Sequence, residues 1–380
     1  CIHDRRMIND SDHMILELKR KKGKILLLRA EAYGTSSDEA LECFREYFSY
    51  AKSSVLEDFS QMDADERERY WLRMHPFIAD CYRLEDNDPS LLYDVTLFSK
   101  SLLLQFSRQK DGYVTVDYSD VQEALGADEC AIEFIRYELG ERVRYGALVL
   151  KSEGTPDFIR IGSEEEILQH KIYGWTTVEK AIGVNAKPQY RDSLYVCKSL
   201  SRIIWNDGLR SKLSDVRKVY FSPDGLFHQI AIEYMYPEGS PLSFYRLTST
   251  KEILRGSISI RTDKMLLCGG VDYFKAHEED FGRDNDTLAF QLLRKRRLRF
   301  KALDGSMAEV DSIYRLRNEE KDSLVVGQAV TESACSRLMG QYPIVLLSTH
   351  GYFSGGADCF GEELKPRTSD HTMSESVLIL

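Results

Sequence analysis

The chain of 380 residues contains no run near the roughly eighteen consecutive apolar residues that a membrane-spanning helix needs. Charges recur throughout residues 1–30, which leaves no apolar stretch for a secretory leader. A positive excess is also missing. The 51 Lys and Arg residues face 61 Asp and Glu residues, and the formal charge of −10 argues against a general nucleic-acid binder. The one basic run, Arg294–Arg297 with Arg299, reads as a solvated face. The eight cysteines (Cys1, Cys43, Cys81, Cys130, Cys197, Cys268, Cys335 and Cys359) form no CxxC pair and no Cys/His cluster with zinc spacing. Most have apolar neighbours, as small buried thiols in a reducing cytosol do. There is no Walker loop ending in Lys-Ser/Thr and no GxGxxG after a strand, which disfavours a nucleotide-binding protein. The expectation is a cytoplasmic protein with no metal, no cofactor, no membrane contact and no direct nucleic-acid contact.

What is present is a chain 43% hydrophobic and 29% charged, enough for a sizeable core. Residues 1–110 read as helical. Asp38 is placed to cap a helix through Leu41, Phe44, Tyr47, Phe48 and Tyr50, and a second runs from about Asp63 to Tyr82. The Asn87-Asp88-Pro89-Ser90 break precedes a third, with Ser90 as its expected cap. Antiparallel helices with short breaks suit either a tetratricopeptide-like array or a plain helical cap, and no clean internal repeat decides between them.

From Tyr113 the texture becomes α/β, and residues 111–380 are expected to form one such domain. Strands are expected at Ala131–Ile135, Ala147–Leu150, Phe158–Ile161, Lys218–Phe221, Gln229–Ile232, Phe244–Leu247, Met265–Gly270 and Ser323–Val326. A helix should open at Ser163 with an acidic first turn, and a longer one should span Tyr190–Trp205. Helices near Ala308–Arg317 and Thr331–Met339 alternate with the later strands, the pattern of a largely parallel sheet with helices on its faces. Glu278–Leu293 and Phe353–Asp370 read as loops.

The organising stretch is Tyr342–Phe353. Ile344–Leu347 is an uninterrupted apolar run that suits a central parallel strand, and it ends abruptly in Ser348-Thr349-His350-Gly351. Ligands and chemistry collect at that edge of open α/β sheets. Both chain ends look cut, since residue 1 is Cys and Ser376–Leu380 is an apolar run without an ending. The chain is therefore expected to be a piece of a longer polypeptide.

The order of these pieces resembles the CHAT family, caspase-like domains found beside tetratricopeptide repeats, and more broadly the caspase and separase clan. Asp94, Leu97, Lys100 and Leu102–Leu104 look like the helix leading into such domains, and Val121–Leu125 with Ala131–Phe134 like the entry helix and first strand. Val219–Gln229 is similar to the family's strand–turn–strand, Tyr245–Thr250 to its next segment, and Leu303–Ile313 to the helix before the histidine strand. Leu347–Phe353 is similar to an Ala-Thr-His-Gly-Phe motif, and Ser376–Leu380 to the start of the strand after it.

The resemblance implies a caspase-like mostly parallel sheet flanked by helices and preceded by a tetratricopeptide-like region. It also implies a cysteine endopeptidase of bacterial defence or programmed-death systems that cuts a specific protein. A protein regulator or sensor would act through the helical region. His350 would be the general base of a Cys–His dyad, and the Gly351 amide would serve the oxyanion hole. In the family the nucleophile lies on a strand later than the one beginning at Val377, so it is expected C-terminal to residue 380. Cys359 is the alternative within this sequence, while Cys335 and Cys268 are most simply core. Asp272, at a strand's carboxyl end, and Asp358, in the loop after His350, are candidate substrate-binding residues. Asp224 reads as turn chemistry in Pro-Asp-Gly, and His228 as core or surface. The competing reading is a non-catalytic interaction scaffold.

Overall fold

The computed structural model describes residues 2–34, 37–108, 114–182, 186–237, 239–255, 263–273, 302–303, 305–317, 320–353 and 376–379. The chain divides into two compact units, Cys1–Gly256 and Ser257–Leu380. No helix among the described residues is long and apolar enough to cross a membrane.

The first unit opens with helices α1 (Ile2–Tyr33), α2 (Asp38–Phe59), α3 (Ala64–Ala79), α4 (Pro89–Ser99), α5 (Leu102–Arg108) and α6 (Tyr118–Glu123). Helical spacing puts Phe44, Tyr47, Phe48, Ala51, Val55 and Phe59 on the buried side of α2. Asp38 lies in its first turn, with Ser37 at the cap position. Asp63 and Glu66 exchange side-chain and backbone bonds at the start of α3. The cap of α4 is Asp88 rather than Ser90. Its carboxylate accepts the Leu91 N–H at 3.1 Å, because Pro89 takes the first helical position and lacks an N–H of its own.

Strands β1 (Glu129–Leu139), β2 (Arg142–Lys151), β3 (Asp157–Ser163), β6 (Lys218–Ser222) and β7 (Ser243–Arg246) form one sheet in the order β3-β2-β1-β6-β7. The short β4 (Lys171–Tyr173) and β5 (Thr176–Thr177) pair separately. The β1–β2 and β2–β3 pairs are antiparallel, whereas β1–β6 and β6–β7 are parallel. Alternation along the strands splits the core. Ala131, Ile135, Leu148 and Leu150 join Trp71 and Phe98 from the helices, while Cys130, Ile132, Phe134 and Val149 join Trp205 and Phe227. The helices and one face of this sheet thus share a single core.

Helix α7 (Glu164–Leu168) begins as expected, with Ser163 and Glu166 forming a capping box. Helix α8 (Val178–Ile182) follows. Two other expectations fail. The helix expected over Tyr190–Trp205 is two helices, α9 (Pro188–Tyr195) and α10 (Lys198–Ile204), before α11 (Asp207–Lys212). In one continuous helix Leu194 would sit about 120° around the axis from Leu200. The break at Val196 and Cys197 lets Leu194, Leu200 and Ile204 all be buried. Gln229–Ile232 is not a strand: it links the 3-10 turn Gly225–His228 to the next, Ile232–Met235, which Ile232 opens. Its carbonyls are taken by side chains: the Arg246 guanidinium bonds Ile230 O at 2.9 Å, and Trp205 Nε1 bonds Ile232 O at 2.8 Å.

A fully buried carboxylate sits in the middle of β1. One oxygen of Glu133 accepts from the Thr250 amide at 2.6 Å and from the hydroxyls of Thr250 and Ser249, and the other meets Lys100 Nζ at 2.8 Å. Lys100, which ends α4, also donates to Phe134 O, Ser222 O, Ser222 Oγ and Pro223 O.

The second unit holds β8 (Met265–Gly269), α12 (Ser306–Arg317), β9 (Ser323–Val326), α13 (Glu332–Met339), β10 (Ile344–Leu347), β11 (His350–Phe353) and β12 (Ser376–Ile379). Three parallel strands lie in the order β10-β8-β9, and β11 pairs antiparallel with β12. The run Ile344–Leu347 is parallel as expected, but β8 is the central strand. Among the described residues β10 pairs with β8 alone, and its side chains are half-buried. An apolar run signals burial without naming its neighbours. Asp322 fastens the far end of this layer: it accepts the Met265 N–H at 2.6 Å and the Arg317 guanidinium at 2.6 Å, and Arg317 holds its carboxyl below the usual range.

Two stability predictions follow from the first unit. Glu133→Gln strips the buried Lys100 ammonium of its counter-charge and should cost about 3–5 kcal/mol in denaturant unfolding, part of which Glu133→Gln/Lys100→Met recovers. Asp94, half-buried on α4 and accepting the Tyr118 N–H at 2.7 Å, has its carboxyl raised by desolvation to about 6. A raised folded-state pKa favours the protonated form, so its contribution is full below pH of about 4 and is lost as pH rises through about 6. Asp94→Asn should therefore be more stable than wild type at neutral pH, and that advantage should vanish in unfolding curves recorded at low pH.

Candidate active site

Parallel pairing brings the carboxyl ends of β8, β9 and β10 to one edge, with Gly269 opposite Val326 and Leu347 opposite Cys268. Gly270–Tyr273, Gly327–Gln328 and Ser348–His350 emerge there. The edge is crowded by α12. A Cβ on Gly269 would lie 2.8 Å from Val310 and 2.9 Å from Ser306 O, so only glycine admits the helix this closely. Gly270 then turns with φ +64°, the left-handed region that glycine enters without steric cost.

Ser306 joins two of the emerging segments. Its buried hydroxyl accepts the Gly270 N–H at 2.8 Å and donates to Ser348 O at 2.5 Å. Ser348 is held at its other groups too, since its N–H donates to Cys268 O at 2.8 Å and its hydroxyl to Glu309 at 2.5 Å. Tyr273 secures the next two residues. Its Oη lies 2.9 Å from Thr349 Oγ1 and accepts the His350 N–H at 3.2 Å, and its ring stands 5.0 Å from the imidazole at a 51° tilt. His350 is half-buried and opens β11 opposite Ile379. Gly351 is exposed, with open space where a side chain would project.

Of the other sequence candidates, Asp272 lies on the same edge, partly exposed, with the Gln328 amide 3.5 Å from its carboxylate. Asp358, Cys359, the basic run at Arg294–Arg297 and the Glu278–Leu293 loop lie outside the described residues, as does most of the expected Phe353–Asp370 loop. Cys268 and Cys335 are buried in the same apolar cluster. Burial pushes the Cys268 thiol up to about 12 and raises Cys335 as well, the opposite of nucleophile activation. Both are core, as expected. Asp224 is turn chemistry: its carboxylate accepts from Gly225 N–H and Arg136 N–H, each at 2.8 Å. His228 closes the following 3-10 turn with its side chain exposed. Among the described residues there is no group of three or more His, Cys, Asp or Glu that could hold a metal.

Sequence reading passed over Tyr273 and Ser306 as site residues. Tyr273 stands 77 positions from His350, and no local pattern announces that pairing. A serine at the first position of a helix beside a glycine-rich strand end was the available signal for Ser306.

Residues 195–378, nearly half of the chain, match the family model of the CHAT domain, a caspase-like cysteine peptidase family. The resemblance to a CHAT-domain protein therefore holds, on a mixed α/β fold with a helical N-terminal region. The match takes in β10–β11 and His350 but not the upstream segments at Asp94–Leu104 and Val121–Phe134. Comparison with curated proteins gives no match.

Ser306→Ala should leave a buried amide and a carbonyl without partners, lowering stability by about 1–3 kcal/mol in denaturant unfolding. The amide resonances of Gly270 and Thr349 should shift with it.

Proposed function

We propose that this chain carries the histidine side of a caspase-like cysteine endopeptidase that cuts a specific protein. The observation that supports the reading is the mounting of His350: it lies at the carboxyl edge of a parallel sheet, on backbone fastened by Ser306 and Tyr273, within the CHAT-matched span. In the proposed mechanism the imidazole takes the proton of a cysteine thiol, and the thiolate attacks the scissile carbonyl. The imidazolium then protonates the departing amine, leaving a thioester that water hydrolyses with the imidazole again as base. The Gly351 amide serves the developing oxyanion, where each such donor is worth about 2.7–4 kcal/mol in other proteases. Asp272 is the proposed substrate-cleft residue on this edge, and an acidic Asp358 in the loop after His350 would favour a basic residue next to the scissile bond. The nucleophilic cysteine is expected C-terminal to residue 380. The protein acts in the cytoplasm, in a bacterial defence or programmed-death setting. A regulator or sensor engages its tetratricopeptide-like helices.

The test is labelling of the full-length protein with a thiol-directed covalent probe and peptide mapping, wild type beside His350→Ala. The dyad predicts one cysteine beyond residue 380 whose labelling is lost in the variant, with hydrolysis reduced by about 10²–10⁴-fold. Labelling of Cys359 that depends on His350 would move the nucleophile. If no cysteine depends on His350, the protease reading fails and the non-catalytic scaffold replaces it.

A further inference from the structure

Helix α1 has two apolar faces. Leu16, Gly23, Leu27 and Ala30 are buried on one, and α2 approaches so closely there that a Cβ on Gly23 would lie 3.1 Å from Phe44. At about 100° per residue, Met14, Leu18, Ile25 and Leu28 fall on the opposite side of the axis. They are 61–64% exposed. With Lys21 and Ala32, both exposed, the outer residues are spaced four, three, four, three and four apart, the period of a coiled-coil seam. A helix apolar on opposite faces and polar on its flanks belongs between two layers. One of those layers is α2.

Charge identifies what fits the other side. Glu17 is engaged by Arg20 and Lys21, at 3.1 and 3.3 Å, whereas the flank beside Leu18 and Ile25 displays Lys22 and Arg29, both exposed. A second copy of the chain is a poor occupant. An antiparallel pair would lay the Lys22 and Arg29 flank along its own duplicate, and a parallel pair would set Lys21 against Lys21 in the seam. A membrane surface would be met by one broad apolar face, not by a narrow seam with a lysine in its line.

We infer that the outer face of α1 docks an amphipathic helix of another polypeptide, apolar along its seam and carrying carboxylates opposite Lys22 and Arg29. The inference rests on the regulator reading above only in making that polypeptide a regulator; the surface itself is argued from α1 alone.

The probe is a synthetic helical peptide of leucine-seam heptads with glutamate at every flanking position, beside a lysine-flanked twin. Both are titrated against the full chain by fluorescence anisotropy. The glutamate peptide should bind at least about tenfold more tightly than the lysine peptide. Leu18→Gln/Ile25→Gln, on an exposed face, should abolish binding while leaving the unfolding midpoint unchanged. Lys22→Glu/Arg29→Glu should reverse the preference. Equal binding of both peptides, no binding, or indifference to the seam variant would overturn the proposal. So would a thiol introduced as Ile25→Cys that is already shielded in the chain alone, or sedimentation showing self-association through this face. None of these readouts measures proteolysis, so their failure leaves the His350 reading standing and the failure of His350 leaves them standing.

Discussion

Much of the first unit depends on one buried ion pair, Lys100 with Glu133. Taking two charges out of water is costly, and their attraction offsets the cost only when the remaining donors and acceptors are also used. Here they are. The carboxylate takes three bonds from Ser249 and Thr250, and the ammonium reaches carbonyls of Phe134, Ser222 and Pro223. The partners come from the end of α4, from β1, from the exit of β6 and from the turn after β7. Each must therefore arrive at one place for any to be satisfied. Ser101, next in the chain, holds φ at +61°, a conformation that non-glycine residues rarely adopt. Neighbouring bonds reinforce the same point, with Lys251 Nζ on Leu97 O and Lys100 O and Tyr93 Oη on Thr250 Oγ1. Hydrophobic burial alone would let α4 slide on the sheet, whereas this cluster fixes its register.

The second unit fastens its layer with a hydroxyl network at one end and an ion pair at the other. Gly269 removes a side chain so that α12 can close on β8, and Ser306 then reaches both Gly270 and Ser348. At the other end Arg317 and Asp322 tie α12 to the start of β8. Helix and strands are thus fastened at both ends of the layer. The end that carries His350 is held by hydroxyl and amide bonds, one of them to the Glu309 side chain, while the opposite end carries the ion pair.

Where one physical signal decided an element, that signal was visible in the residues. The period of α2, the helix opening at Ser163 with its acidic first turn and the break from Leu347 to Ser348 are local facts, and each stands where the sequence placed it. Expectations failed where tertiary partners overrode local pattern. Gln229–Ile232 has strand-like residues, but Arg246 and Trp205 claim its carbonyls. Tyr190–Trp205 has helix-like residues, but one straight helix could not bury Leu194 and Leu200 together. Lys100 carried part of the family resemblance as a position within a helix; its physical role is the ion pair, which requires Glu133 to be beside it. The same limit hid Tyr273, whose contact with His350 depends on how β8 and β10 pair.

The bonds around His350 act on the backbone on either side of the imidazole. Ser306 and Cys268 hold Ser348, and Tyr273 holds Thr349 and the His350 amide. Such bonds set where the ring is mounted, which a general base needs before its pKa matters. The nearby thiols are kept out of that chemistry by the same packing. Cys268, directly beneath the edge, is buried in one apolar cluster with Cys335, and that burial raises both thiols. Raised thiols of that kind are disfavoured as attacking groups, so in the proposed dyad the core of this sheet does not supply the nucleophile. In the proposed dyad the thiol would approach from the open side of the edge, where Gly351 leaves space and where a thiolate beside an imidazolium is favoured by charge.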